Sequence, residues 1–186
     1  EKSKKKEILN FKKKNKESFN LISQSKLNNL FLNKIKKSNN IKIKKFNLSN
    51  SMLFNQIKKY DLVLNSEDNN VISKKYFTNK IKKNYRSYAY TFIINHKKVA
   101  NNIASQIFTK YGPLAFLPVS NKNTSIVFSY KGGVINDNQI LSIFKNYNFL
   151  YSLKKIGDIQ KFGLNFSMLR KYTFNNVLAF GELLHR

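Results

Sequence analysis

The chain has 186 residues, a length that suits about one domain, and its 41% hydrophobic and 14% aromatic content excludes a wholly disordered protein. Its 35 basic and 9 acidic residues give a formal net charge of +26. Only 3 of the basic residues are arginines, and the lysines lie among many asparagine, isoleucine and phenylalanine residues, all with A/T-rich codons, so the charge is weak evidence for any partner.

The amino-terminal part combines a lysine-rich segment with one amphipathic helix. Residues 1–18 carry eight lysines and three glutamates, which predicts a solvated arm or a frayed helix. Apolar residues then recur at three- and four-residue spacing, which predicts a helix capped by Ser25. These apolar residues are Leu27, Leu30, Phe31 and Ile35.

The next segment predicts short elements and one buried strand. Ile41, Ile43 and Phe46 indicate a short strand, and a further apolar group follows at 52–57. The run Leu62-Val63-Leu64 has no alternation, which is typical of a parallel strand buried on both faces. The polar residues 65–70 would lie at its carboxyl end, where open α/β sheets bind ligands, although a plain surface turn is the commoner outcome.

The central region predicts a consecutive, mostly antiparallel sheet. Apolar and polar residues alternate from Tyr88 to Asn95, and turn residues separate the strands that follow. Asp137 is expected to cap a helix, and the apolar run 177–180 is expected to return to the first layer. The other predicted strands are Ala104–Thr109, Leu114–Val119, Thr124–Tyr130 and Leu164–Met168.

Several kinds of site are excluded by composition. Cysteine is absent, so disulfides, thiolate metal sites and cysteine nucleophiles are impossible. The two histidines, His96 and His185, are too far apart in sequence for a metal motif, and no metal site is expected. No uncharged stretch is long enough to span a bilayer, and no signal core follows Glu1. We therefore expect an intracellular chain cut from a longer one.

Three segments of the sequence resemble a known family. The segment Ile107-Phe108-Thr109, then Gly112-Pro113-Leu114-Ala115-Phe116-Leu117-Pro118, then Ser125-Ile126-Val127-Phe128-Ser129 resembles the UbiH/UbiF/VisC group of aromatic flavoprotein hydroxylases of ubiquinone biosynthesis, which have the para-hydroxybenzoate hydroxylase fold. The segment Asn176 to His185 resembles the Gly-Asp-Ala-Ala-His flavin motif of that family. Tyr60 to Leu64 leads into the position of its Gly-Ala-Asp-Gly motif.

The resemblance implies an α+β / α/β architecture. An incomplete flavin-binding α/β layer would be joined to a mostly antiparallel substrate-domain sheet with a covering helix. The implied segments are a lysine-rich arm (1–18), a partial FAD-binding layer (19–83), a substrate-type sheet domain (84–168) and a return to the FAD-binding layer (169–186).

The resemblance also implies site residues. It places Glu67, Asp68, Gly181, Glu182 and His185 at an FAD site. It assigns the substrate-lining role to Phe108, Pro113, Leu114 and Phe116, although ordinary core packing is the alternative for aromatic residues on strands. No residue is expected to act as a catalytic group, because the bound flavin carries the oxygen chemistry.

The chain departs from the family pattern in informative ways. Asn65 stands where the family has glycine, and Glu182 replaces aspartate. No Gly-x-Gly-x-x-Gly turn occurs in the sequence, and the chain stops before the family's His-Pro loop. We therefore expect an interior or truncated hydroxylase, or a degenerate copy, that binds flavin poorly by itself.

The implied chemistry is hydroxylation of an aromatic ubiquinone precursor, with NAD(P)H as reductant and O2 as co-substrate. A polyprenylated substrate predicts a cytoplasmic protein with peripheral contact to the inner membrane or to a ubiquinone-biosynthesis complex. Lys80 to Lys83 are one candidate for lipid contact, with a solvated face as the alternative.

Two other functions stay open at the level of sequence. A ribosomal-type nucleic-acid-binding protein would explain the charge, but arginine is scarce and no recognition motif occurs, so no specific nucleic acid is expected. A non-catalytic remnant acting as a partner in a complex would keep the fold and lose the flavin.

Overall fold

The structure is a computed structural model that describes residues 21–45 and 49–185. The chain divides into two units, residues 1–44 and 45–186. The predicted arm 1–18 lies outside the described residues.

The first unit contains the predicted amphipathic helix, α1 (Gln24–Lys36). Its cap is Ser23 and not Ser25, because the Ser23 side chain accepts a hydrogen bond from the Lys26 backbone N–H. The strand predicted from Ile41 is absent from residues 41–45, and Phe46 lies outside the described residues.

Helices and strands are interspersed along residues 49–185. The helices are α2 (Asn50–Ile57), α3 (Val71–Tyr76), α4 (Asp137–Tyr147) and the 3₁₀ helix Gly181–Leu183. The strands are β1 (Val63–Asn65), β2 (Lys80–His96), β3 (Ser105–Thr109), β4 (Gly112–Ser120), β5 (Asn123–Lys131), β6 (Leu153–Ile156), β7 (Gln160–Leu169), β8 (Thr173–Phe174) and β9 (Val177–Ala179). This mixed α and β content confirms the predicted fold class.

The larger sheet has the strand order β3-β4-β5-β2-β6, and β7 also pairs with β2. All of its pairings are antiparallel, as predicted. The 17-residue β2 is its central member, because β5 pairs with one edge while β7 and β6 share the other. The boundary placed at residues 83 and 84 falls inside this strand.

One face of this sheet is covered by α4. Side chains on a strand alternate between the two faces, and the buried residues of β2, β4 and β5 are all even-numbered, so they share the face that the helix covers. The buried cluster comprises Tyr90, Phe92, Ile94, Leu114, Phe116, Ile126, Phe128, Ile140, Phe144 and Tyr151. The Phe144 ring packs edge-on against Phe92 at a centroid distance of 5.2 Å, which holds α4 on the sheet.

Helix α4 begins with a capping box. The Asn136 side chain accepts from the Gln139 backbone N–H at 2.9 Å, and the Gln139 side chain accepts from the Asn136 backbone N–H at 3.0 Å. The predicted cap, Asp137, instead lies in the first turn, where its charge suits the positive end of the helix.

A buried polar network lies at the carboxyl end of β2, around His96. His96 contacts the Lys97 carbonyl oxygen through Nδ1 at 2.8 Å and the Thr124 hydroxyl through Nε2 at 3.0 Å. Because a carbonyl can only accept, Nδ1 carries a proton in this contact. Asn101 joins the Thr124 hydroxyl to the Tyr151 hydroxyl, so His96 has a structural role.

The smaller sheet has the order β1-β9-β8. Strand β1 runs parallel to β9, which confirms that the chain returns to its first layer. The expectation that β1 is buried on both faces is wrong, because Leu64 is 56% exposed. The three-residue strand β1 lies at the edge of the sheet. A hydrophobic cluster covers only the side that Val63 faces, and it comprises Ile57, Ile72, Phe77, Leu169, Val177, Ala179 and Leu183.

Within the described ranges, none of the helices has the length and apolar character needed to cross a membrane.

Candidate functional site

A cleft of about 350 Å³ opens at the carboxyl ends of the parallel strands β1 and β9. The loop after β1 contributes four of its residues, and the 3₁₀ helix after β9 contributes two. They are Ser66, Glu67, Asp68, Asn69, Glu182 and Leu183. Three carboxylates therefore border one cleft, although the chain as a whole is strongly basic.

Gly181 makes the turn that carries Glu182 into this cleft. Its φ of +61° lies in the left-handed region, which side chains with a Cβ rarely adopt. The Phe180 N–H donates to the Asn65 carbonyl at 2.8 Å, so the turn follows directly on the last β1–β9 contact. A glycine here lets the chain leave β9 and start the 3₁₀ helix at once.

The loop after β1 is held by buried amides and a hydroxyl. The Asn65 side chain donates to the Ser73 hydroxyl at 2.7 Å and accepts from the Asn70 side chain at 2.5 Å. The Ser73 hydroxyl donates in turn to the Glu67 carbonyl. Asn65 is thus the residue that fixes the loop, and this hydrogen-bond network was not predicted from the sequence.

The three carboxylates differ in their surroundings. Asp68 pairs with Lys80, the first residue of β2, and the Lys80 side chain is largely covered. Among the described residues, no cation pairs with Glu67 or Glu182. These two exposed carboxylates are therefore available as charged hydrogen-bond acceptors in the cleft.

His185 lies apart from the residues that line the cleft. It is exposed, and its backbone forms an isolated antiparallel bridge with Met168. The structure thus brings together Glu67, Asp68 and Glu182, places Gly181 beside them, and leaves His185 outside the lining. No group of metal-ligating side chains occurs among the described residues.

The cleft suits only part of a flavin nucleotide. Carboxylates accept hydrogen bonds from hydroxyl groups, such as those of a ribityl chain, but they repel phosphates. Among the residues that the structure describes, the one cation paired at the cleft is Lys80, which is engaged by Asp68. Since the sequence contains no Gly-x-Gly-x-x-Gly turn, the described residues fit a hydroxyl-bearing segment and offer no pyrophosphate cradle.

The four residues predicted to line a substrate lie on opposite faces of the larger sheet. Leu114 and Phe116 are fully buried beneath α4, so they are core residues and form no ligand wall. Pro113 has the opposite parity, and Phe108 is its direct cross-strand partner. Phe108 is 67% exposed, so these two mark the uncovered face of the sheet.

The uncovered face has small side chains between larger ones. One cross-strand row runs from Gln106 through Ala115, Val127 and Thr91 to Gln160. The adjacent row includes Phe108 paired with Pro113, and Ser129 and Phe162 paired with Ala89. Five adjacent strands span roughly 19 Å at the usual strand spacing. The result is a shallow, mostly apolar trough with an aromatic residue on each outer strand.

A second cleft of about 410 Å³ lies farther along this face. It is lined by Thr91, Phe92, Ile93, Ser125, Gly157, Asp158 and Gln160. The two clefts share no lining residue, so they are distinct. The polar residues of this cleft were not predicted from the sequence. The alternation of side chains along β2 and β5 is the signal that could have identified them.

Comparison with known proteins identifies the fold. The structure of CmlS, a flavin-dependent halogenase, is similar at a TM-score of 0.53 and 12% identity, covering 67% of this chain and 26% of that one. Lower-scoring similarities include CabE, an aromatic hydroxylase from angucycline biosynthesis, at a TM-score of 0.46 and 12% identity, covering 67% of this chain and 27% of that one. No family model matches the sequence, and no curated protein matches it.

The chain therefore has a fold similar to part of CmlS. It spans about a quarter of the length of the flavin-dependent halogenase.

Replacing Asn65 tests the loop network. We expect Asn65→Ala to lower the free energy of unfolding by about 1–3 kcal/mol, because buried partners lose their hydrogen bonds. Asn69→Ala is the matched control, since Asn69 lines the same cleft but is exposed. Urea denaturation measures both, and equal effects of the two changes would contradict the assigned role of Asn65.

Two phenylalanines test the assignment of the sheet faces. Phe116→Ala is expected to cost about 3–5 kcal/mol of stability, because it opens a cavity in the core. Phe108→Ala is expected to change stability by less than about 0.5 kcal/mol, as for other exposed positions. Thermal and urea unfolding of the two variants gives the comparison, and a large loss at Phe108 would show that its face is covered.

Proposed function

We propose that this chain is part of an FAD-dependent monooxygenase that hydroxylates the aromatic ring of a ubiquinone precursor. The observation that carries the proposal is the meeting of Glu67 and Glu182 at the carboxyl ends of parallel β1 and β9, within a flavoenzyme-like fold. The motif resemblance around Pro113 and the uncovered sheet face supports the aromatic substrate.

The flavin, when bound, supplies the activation of O2, and NAD(P)H supplies the electrons. The role of this chain is to orient the flavin by accepting hydrogen bonds from the hydroxyl groups of the flavin. Glu67 and Glu182 are exposed carboxylates that accept such hydrogen bonds. Asp68 is held by Lys80 and anchors the loop to the start of β2.

The uncovered face of the larger sheet is the proposed place for the substrate ring. Its centre consists of Ala89, Ala115, Val127 and Thr91, whose small side chains leave a flat floor. A planar ring with an apolar tail makes extensive contact with such a floor, and burial of the tail favours binding. Pro113 and Phe108 border the same floor, and these two residues retain the predicted lining role.

Flavin analogues test the cofactor half of the proposal. We expect riboflavin, which has a hydroxyl chain, to bind more tightly than lumichrome, which has the ring without that chain. FAD should bind no more tightly than riboflavin, because the cleft repels phosphates. Glu182→Gln should weaken riboflavin binding about tenfold, since hydrogen bonds to a charged acceptor are the stronger kind.

Quenching of flavin fluorescence measures these affinities, with Asp158→Asn in the second cleft as the matched control. Equal binding of riboflavin and lumichrome would contradict the role of the carboxylates. Stoichiometric yellow FAD in the purified chain would show a complete site and overturn the predicted poor binding.

Methyl NMR tests the substrate half. A phenol carrying a short prenyl tail is expected to shift the methyl signals of Ala89, Ala115 and Val127 and to leave those of Leu114 and Ile126 nearly unchanged. Ala115→Phe should weaken binding about tenfold by filling the trough, because overpacked sites lose contacts. Val134→Phe, at an exposed position before α4, is the control. Shifts centred on the α4-covered face would refute this placement.

A further inference from the structure

Helix α1 exposes a continuous apolar surface. None of its residues is buried. Leu30 and Phe31 are 60% and 56% exposed, and Leu27 and Leu32 are exposed as well. An amphipathic helix in a water-soluble setting normally packs this surface against a core, so its exposure indicates an interaction site.

The arrangement of side chains on α1 separates apolar residues from most of the lysines. Leu27, Leu30, Phe31 and Ile35 follow the i, i+3, i+4 and i+8 spacing of one helix face. On the same spacing, Lys26, Lys36 and Lys37 fall outside that face. Lys34 falls within it in the last turn, where a long aliphatic stem lets an ammonium group reach a polar boundary.

The charge around this helix has a single sign. Residues 21–45 contain seven lysines, no acidic residue and no arginine. A surface that covers both the apolar face and its lysines must therefore combine negative charge with a hydrocarbon layer. An anionic lipid surface has this combination.

We infer that α1 is an interfacial helix that docks this chain on anionic membranes. Its 13 residues give a length of about 20 Å, enough to lie flat in the headgroup region with Leu30 and Phe31 inserted. The inference rests on α1 alone and does not depend on the proposed flavin chemistry.

The structure favours α1 over Lys80 to Lys83, the segment considered from sequence. Lys80 is engaged by Asp68, and β2 is paired with β7 along this stretch. Nucleic acid is the less suitable partner for α1, because an apolar face with Leu30 and Phe31 gains nothing from phosphates.

A single-tryptophan reporter tests the inference, since the chain contains no tryptophan. Phe31→Trp should show a blue-shifted emission with vesicles of phosphatidylglycerol and phosphatidylcholine, and little shift with phosphatidylcholine alone. Tyr85→Trp is the matched control, because Tyr85 is exposed close to Lys83. Its emission should stay constant with both kinds of vesicle.

Adding Leu30→Ser to the Phe31→Trp chain should weaken vesicle binding about tenfold, because it removes one inserted side chain. No buried residue lies on α1, so circular dichroism should show an intact fold in both variants. Raised salt should weaken the initial binding.

Four outcomes would overturn the inference. The first two are an emission shift of Tyr85→Trp without one of Phe31→Trp, and vesicle binding that Leu30→Ser does not weaken. The third is an emission shift of Phe31→Trp with duplex DNA but not with vesicles. The fourth is a Phe31→Trp chain that is dimeric and already blue-shifted before vesicles are added. Because riboflavin binding is measured without lipid, a failure here is distinguishable from a failure of the proposed function.

Discussion

The pairing of β2 with strands on both of its edges is the constraint on which the rest of the second unit depends. Strand β5 pairs with one edge, and β7 and β6 share the other, so three of the five ladders described for the larger sheet include β2. A shift of β2 by one residue would turn its buried side chains toward the uncovered face. The same strand begins with Lys80, so it also connects the sheet to the acidic cleft.

The electrostatics of the molecule are local. The net charge of +26 describes the whole chain, but the cleft beside β1 and β9 is bordered by three carboxylates. Only one of them, Asp68, has a paired cation among the described residues. Hydrogen bonding at the cleft therefore depends on charged groups within a few ångströms and not on the net charge of the whole chain. The lysines of α1 contribute their charge at the surface instead.

Much of the fold could be predicted because alternation along strands is a local property. The antiparallel strands from β3 to β5 and helix α4 follow directly from apolar spacing and turn residues. Caps were harder to predict, because Ser23 and Ser25, or Asn136 and Asp137, are chemically equivalent candidates until backbone geometry selects one. The exposure of Leu64 could not be read from its apolar run, because burial depends on what lies above a strand.

The sequence by itself determined which residues alternate, where the chain turns, and that no cysteine chemistry is available. It also placed Glu67 and Glu182 after strands that return to one layer, since parallel neighbours end at one edge. Only the tertiary structure decided which face of the sheet is core. Alternation along the strand places Leu114 and Phe116 on one face and Pro113 on the other, but it does not determine which face is covered. The packing of α4 made that choice, because burying large apolar side chains under a helix removes them from water.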